Sequence, residues 1–269
     1  MRGQMEVAMI LKHELKAYSR TFLIWTLIIG IMNFGFMIMY PSLKDSMIEM
    51  EKAYANMGAF STAFGMDKLS MAKPLGFYGA YVGATLSLGG AMFAALIGTG
   101  ILSKEEGGHT SEYLYTLPLS RVNVVIQKIL ALFLIVLLFN IVNFILGVIA
   151  FPLIHEDIEI KKLVLYHIAQ LFMHLEIGAI AVLLSAFLKK VNVGIGLGVA
   201  LLLYFTDMMA RVLEQLDSCK YITPFYYANA VDVIITESIN MKLLVTGIII
   251  TMVCIIVGIW HYNRRDLLS

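Results

Sequence analysis

Six stretches of this chain, about 21–40, 77–102, 122–152, 163–188, 192–210 and 243–262, are each long and apolar enough to cross a bilayer, whose hydrocarbon core takes about 20 residues of helix. Lipid offers no partner to a backbone N–H or C=O, so a spanning stretch must satisfy its own backbone, and α-helix is the form that does so. The expected fold is an all-α polytopic membrane protein with six transmembrane helices. No Pro/Gly/Ser-rich linker and no internal repeat divides it, so residues 1–269 read as a single transmembrane domain. With 59% hydrophobic and 14% charged residues, too little of the chain suits water for a soluble surface. A net charge of +1 without any basic run excludes nucleic acid as an expected partner. Two cysteines, Cys219 and Cys254, do not suggest a disulfide framework.

Six crossings return the chain to the side on which it started. Ala8, Leu11, Leu15, Tyr18 and Phe22 recur at helical spacing, with Lys12, His13, Glu14 and Lys16 between them, which predicts an interfacial amphipathic helix over 1–20. No small-residue cleavage site follows a short apolar region there, so no removable signal peptide is expected. Lysine and arginine are only slightly more numerous on the side of the termini, but the segments there are shorter, with Lys189-Lys190 and Arg264-Arg265 the densest points. Both termini are therefore expected in the cytoplasm. The third stretch should tilt or project, leaving Gln127 and Lys128 in the polar interface. Tyr40, Trp260 and Tyr262 fall where aromatic anchors meet headgroups. Residues 41–76 read as an outer loop. The aromatic segment 221–234, within 211–242, reads as a re-entrant or surface helix at the outer leaflet.

Glycines in the second stretch, Gly79, Gly83, Gly89, Gly90, Gly98 and Gly100, suit close helix packing. The Gly-x-Gly-x-Gly at 194–198 lacks the lysine and hydroxyl of a phosphate loop, so no ATP site is expected in this chain. His167, Gln170 and His174 share one helix face. The two histidines lie about 10 Å apart along the axis, too far to ligate one metal ion. The stripe reads either as an interhelical polar network or as the wall of a wet transport cavity. Glu176 lies about 200° around the helix from His174 and near the middle of its span, where an ionised carboxylate costs about 2.5 kcal/mol or more. It should be protonated, paired or facing water. Asn33, Asn140 and Asn143 are candidates for interhelical hydrogen bonds. Trp25, Ile29, Met32, Phe36 and Met39 form an apolar stripe, read either as packing or as one wall of an accommodating pathway between two copies of the chain.

Between the second and third stretches the chain spends residues 103–121 where a few would turn it around. In Lys-Glu-Glu-Gly-Gly-His-Thr-Ser-Glu-Tyr-Leu-Tyr-Thr-Leu-Pro-Leu-Ser-Arg (104–121), Thr110 can cap a short helix. Glu112 complements that helix's N-terminal dipole. Tyr113, Leu114 and Leu117 make an apolar face, and Pro118 ends the helix. Glu105, Glu106 and Arg121 flank it. Such a knob can dock a partner or rest on headgroups.

On Glu105, Glu106, Thr110, Glu112, Leu114, Pro118, Ser120, Arg121 and Lys128, this stretch resembles the first cytoplasmic loop of the ABC-2-type ABC exporter permeases, departing from it at His109. Residues 11–25 and 260–267 resemble the ends of the same family. The resemblance implies a six-helix permease in a bacterial cytoplasmic membrane. It implies a second permease copy, as homodimer or paired paralogue, and two copies of a separate ABC ATPase subunit that binds ATP and Mg. Residues 105–121 would be the coupling helix, and the Leu188–Val191 connection, with Lys189 and Lys190, the second contact. No cofactor and no catalytic residue is implied in this chain. The methionine and aromatic surfaces favour a hydrophobic or amphipathic cargo, such as a toxic or antimicrobial peptide or a lipophilic drug, exported outward. Two other readings are a proton-coupled secondary transporter using Glu176, and an intramembrane metalloprotease built on Glu105-Glu106 and the histidines.

Overall fold

The computed structural model describes the backbone of residues 2–54, 68–108 and 119–265, with side chains from residue 9 onward except 52–54. Among these residues every regular element is helical. They are α1 (Arg2–Tyr54), α2 (Pro74–Ile101), α3 (Lys104–Gly107), α4 (Arg121–Leu153), α5 (Ile160–Phe187), α6 (Val193–Val212), α7 (Ala230–Thr236) and α8 (Met241–Arg264). A 3-10 turn, Glu214–Tyr221, follows α6. The six helices long and apolar enough to span are α1, α2, α4, α5, α6 and α8, so every expected crossing has its helix. Polar side chains start several of them. Ser120, Asn192, Asn229 and Asn240 accept backbone N–H bonds at the first turns of α4, α6, α7 and α8, meeting donors that a helix leaves unpaired.

The first helix differs from expectation at both ends. The predicted interfacial helix over 1–20 and the first span are one uninterrupted rod, and the rod continues beyond 40, where an outer loop was expected, to Tyr54. At about 80 Å it far exceeds a hydrocarbon core of about 30 Å. Pro41 sits inside it, although an internal proline costs about 3 kcal/mol. Tertiary contacts on both sides of the proline hold the rod in place. Tyr40 is fully buried and donates to Ala72 O at 2.6 Å, and its ring packs on Phe77 at 5.2 Å. Glu51 accepts from Ser70 Oγ at 2.7 Å and from Ala72 N at 2.9 Å. Tyr40 is thus an interior strut and not a headgroup anchor. Tyr262 is buried likewise, with its hydroxyl 3.5 Å from Leu102 O. Trp260 alone of the three faces outward, under the Arg264 guanidinium at 4.6 Å.

Helix α5 is the hub, packing on α2, α4 and α8 and touching α6 and α7. α1 lies along α4, and α6 along α2. Outward faces of α1 (Leu23, Leu27, Ile31), α6 (Leu202, Phe205, Met209) and α8 (Ile249, Met252, Ile256) are exposed and apolar, as lipid or a second membrane chain requires. Small residues let the inner helices close. A side chain at Gly90 would strike the His174 ring, and one at Gly83 would lie 2.8 Å from Ala230 Cβ. Gly198, by contrast, has nothing within 4 Å. The 222–236 segment tucks back among the helices, with Phe225, Tyr227, Ala228, Val231 and Ile234 buried. It reaches Gln170, about 15 Å along α5 from that helix's start.

Candidate functional site

Two polar assemblies stand out against the apolar bundle. The first lies at the end where both described chain ends meet. α1 brings Glu14, α4 brings Lys128, and the short α3 brings Lys104 and Glu105. Lys128 is fully buried, and its ammonium donates to Glu14 Oε1 at 2.8 Å, to Ile101 O at 2.9 Å and to Glu105 Oε1. All three of its donors are thereby used. Lys104 donates to the other Glu14 oxygen at 2.5 Å and stands 4.7 Å from the Tyr18 ring centre. Two carboxylates and two ammoniums balance in charge, which is what makes such burial tolerable.

Beside this quartet, Arg265 pairs with Glu106 and donates to Ala186 O at 2.8 Å and Leu188 O at 2.9 Å, closing over the end of α5. Arg121 donates to Arg265 O at 3.0 Å. Ser185 Oγ accepts from Leu102 N and Ser103 N at 3.1 Å each and donates to Thr99 O at 2.8 Å, finishing the end of α2. Gly107 lies against Lys190, where an added Cβ would sit 3.1 Å from Lys190 Cα. The base of the 103–121 loop is therefore bolted to α1, α4, α5, the 188–191 connection and the last turn of α8.

Several expected residues take other positions than the sequence suggested. Glu105 and Glu106 are turned inward, while Lys189 and Lys190 are exposed. Thr110, Glu112, Tyr113, Leu114, Leu117 and Pro118, the tip of the expected coupling helix, lie outside the described residues. Gln127 and Lys128 are not at a polar interface but interior, Gln127 accepting from Leu11 N at 3.2 Å. Glu14, Ser185 and Arg265 were missed as parts of one assembly. A lysine at the head of a long apolar run, as Lys128 is, was the available signal, because an unpaired charge at such a position is costly.

The second assembly runs through the bundle along α5. His167 Nε2 lies 2.7 Å from Tyr78 Oη. Gln170 accepts from Ser87 Oγ at 3.0 Å and donates to Ala228 O at 2.7 Å. His174 Nδ1 lies 3.1 Å from Asn140 Oδ1. The stripe is a seam joining α2, α4, α5 and the tucked segment. On the other side of α5, Glu176 accepts from Tyr227 Oη at 2.9 Å and faces Gly247 of α8. A π-helical turn at Tyr78–Val82 interrupts α2 where Tyr78 meets His167, an irregularity common at functional positions. Asn33 donates to Asn143 at 3.4 Å and accepts from Thr85, joining α1, α2 and α4. The α1 stripe divides. Trp25 and Phe36 are half-buried against Phe93 and Tyr81, while Met32 and Met39 face outward.

At the opposite end of the bundle, Arg211 forks onto Asp207 at 3.1 and 3.2 Å, reaches Asp232 at 2.6 Å and donates to Tyr226 O at 3.0 Å. With Lys68, Asn229 and Asp217 it lines a cleft of about 350 Å³. Glu237 receives the Lys161 ammonium at 3.3 Å, and that bond lowers its carboxyl below the ordinary value. This cluster was not foreseen in the sequence.

No curated protein matches the chain in sequence. The family model described as ABC-2 family transporter protein matches residues 8–267, a range that takes in all six spanning helices, the bolted loop base and the closing Arg265. This multi-pass membrane protein belongs to the ABC-2 family of transporter proteins.

Proposed function

We propose that the chain is the permease subunit of an ATP-driven exporter, paired with a second permease copy and powered by two separate ABC ATPase subunits that bind ATP and Mg. The bolted loop base is the observation that carries this reading. Force applied to residues 105–121 meets a rigid junction of α1, α4, α5 and α8 through Lys128 and Arg265, so a push there is delivered to whole helices and not absorbed by a loose turn. The termini and this junction face the cytoplasm, with Lys189 and Lys190 beside it as the second contact. Glu105 and Glu106 act as the root of the lever, and the apolar face of Tyr113, Leu114 and Leu117 meets the ATPase.

The cargo is hydrophobic or amphipathic, a peptide or a lipophilic drug. Inner walls rich in aromatic and aliphatic side chains, with neutral seams at His167, Gln170 and His174, suit such a molecule better than a charged one. Trp25, Phe36 and Glu176 stand beside that route. Co-purification with the ATPase and ATP-driven transport in proteoliposomes test the reading. Leu114→Asp should abolish both while leaving the permease folded. Unchanged association and transport would overturn the assigned coupling face, and uptake driven by a proton gradient without ATP would replace the exporter by a secondary transporter.

A further inference from the structure

Near the chain's first described side chains, α1 carries a row of cations in register with an apolar row. Lys12, Lys16 and Arg20 are exposed, and Leu23, Leu27 and Ile31, exposed on the same helix, fall with them inside an arc of about 100° around its axis. One face of α1 therefore changes from cationic to apolar over the roughly 4.5 Å of rise between Arg20 and Leu23. On the cationic side of that change, Lys16 stands about 6 Å and Lys12 about 12 Å beyond Arg20, against a headgroup layer about 5–8 Å deep. Glu14, the acid on this stretch, points the other way and is taken by Lys104 and Lys128. Among the described residues no acid pairs with Lys12, Lys16 or Arg20.

An occupant must match both halves of this face at that spacing. A soluble protein such as an ATPase can meet the cations but not Leu27 or Ile31, which lie about 10 and 16 Å past Arg20 into the apolar stretch. A second copy related by a twofold axis along the bilayer normal would set each cation level with its own equivalent, and like charges repel. A phospholipid carries phosphate and hydrocarbon in this order and at this height. Choline or ethanolamine offsets the phosphate's charge, so a headgroup with net negative charge gains more from the three cations. We propose that this face of α1 is a binding site for an anionic phospholipid, its phosphate on Lys16 and Arg20 and an acyl chain along Leu23, Leu27 and Ile31. Lys12 stands just past the headgroup layer, about a Debye length from Arg20, and adds attraction from there. The second permease copy of the exporter reading then docks on another face, whereas the lipid site itself does not depend on that reading.

The test uses the purified full chain with Cys219→Ser, Cys254→Ala and Leu27→Cys, a bimane fluorophore on the new thiol, in nanodiscs of phosphatidylglycerol and phosphatidylcholine. One lipid at a time carries bromines on its acyl chains, so quenching of the bimane reports which lipid lies on this face. Phosphatidylglycerol should bind there at least about fivefold more tightly than phosphatidylcholine, the ratio that one engaged basic residue supports. Lys16→Gln combined with Arg20→Gln should bring the two lipids level, and raising the salt from about 0.05 M to about 0.5 M should shrink the preference several-fold. Equal quenching by both lipids in the chain that keeps Lys16 and Arg20 would overturn the proposal. So would a preference that survives the double replacement, since other cations would then cause it. Quenching by neither lipid would mean that protein covers the face, with the same result. If the double variant does not fold, the salt series decides, and a preference unchanged by salt is the overturning outcome. The measurement needs neither ATPase nor nucleotide, so its failure leaves the exporter reading standing, and lipid selectivity in a complex that transports nothing sinks that reading alone.

Discussion

The two ends of the bundle handle charge in opposite ways. At the end holding the termini, every acid among the described side chains is interior: Glu14, Glu105 and Glu106 are consumed by Lys104, Lys128 and Arg265. What remains outside is cationic, with Lys12, Lys16, Arg20, Lys189, Lys190 and Arg264 all exposed. Lys12, Lys16 and Arg20 recur every four residues, on the side of α1 opposite Glu14 and Tyr18. At the other end cations meet acids on the surface, as in Lys44–Glu156 at 2.9 Å, Lys162–Glu159 at 2.6 Å and Lys220–Asp217 at 2.5 Å, and among the described residues Arg211 is the one cation there drawn mostly inside. A count of lysines and arginines nearly balances the ends, whereas burial separates them. The bare cationic face is the kind that the cytoplasmic leaflet of an anionic membrane attracts, and it supports the proposed orientation.

This contrast can be broken most directly at Lys128. Lys128→Met leaves Glu14 and Glu105 buried without their shared cation, and should cost about 3–5 kcal/mol, read as a large loss of thermal stability in detergent. Adding Glu14→Gln and Glu105→Gln should recover most of it, since neutral groups replace stranded charges. A single mutant as stable as the wild type would mean that this end is not bolted as described. Arg211→Met probes the inward cation of the other end. It strands Asp207 and frees the Tyr226 carbonyl, for a smaller loss of about 1.5–3 kcal/mol.

The exposed cations should behave differently from the buried ones. Replacing Lys12, Lys16 and Arg20 together by glutamine should leave detergent stability unchanged yet raise the fraction of chains inserted with the N-terminus outside, scored by protease access to a terminal tag in native vesicles. A destabilised but correctly oriented protein would show that these residues pack and do not orient. The smallest effect belongs to the exposed pairs. Glu237→Gln should shift the midpoint by less than about 1 °C. Because the Glu237 carboxyl is lowered in the folded protein, its contribution is present above the ordinary carboxylate pKa and fades as pH falls through the folded value. The difference between wild type and Glu237→Gln should therefore vanish in acid and never grow.

Much of the architecture was legible because apolar length is a local property. Each spanning stretch carries its own evidence, and α2, α4, α5, α6 and α8 begin and end within a few residues of expectation. His167, Gln170 and His174 were legible as one face by spacing, as was Glu176 on another, though not which partner each would find. α1 runs on past 40 because its outer half is held by contacts with residues 70–77, which apolar length does not report. Tyr40 and Tyr262 were read from depth alone, and packing made them interior.

Taken by itself, the sequence determined that the chain is helical, crosses six times and returns to its starting side, since hydrophobic length and the need to satisfy backbone groups in lipid leave no other form. Only the tertiary structure decided which charges are seen from outside. Glu14, Lys104, Glu105 and Lys128 come from three helices, and Glu106 meets Arg265 across most of the chain. A local pattern can flag a costly charge such as Lys128, but it does not name the neutralising partner when that lies on another helix, 114 residues away for Glu14 and Lys128 and 159 for Glu106 and Arg265.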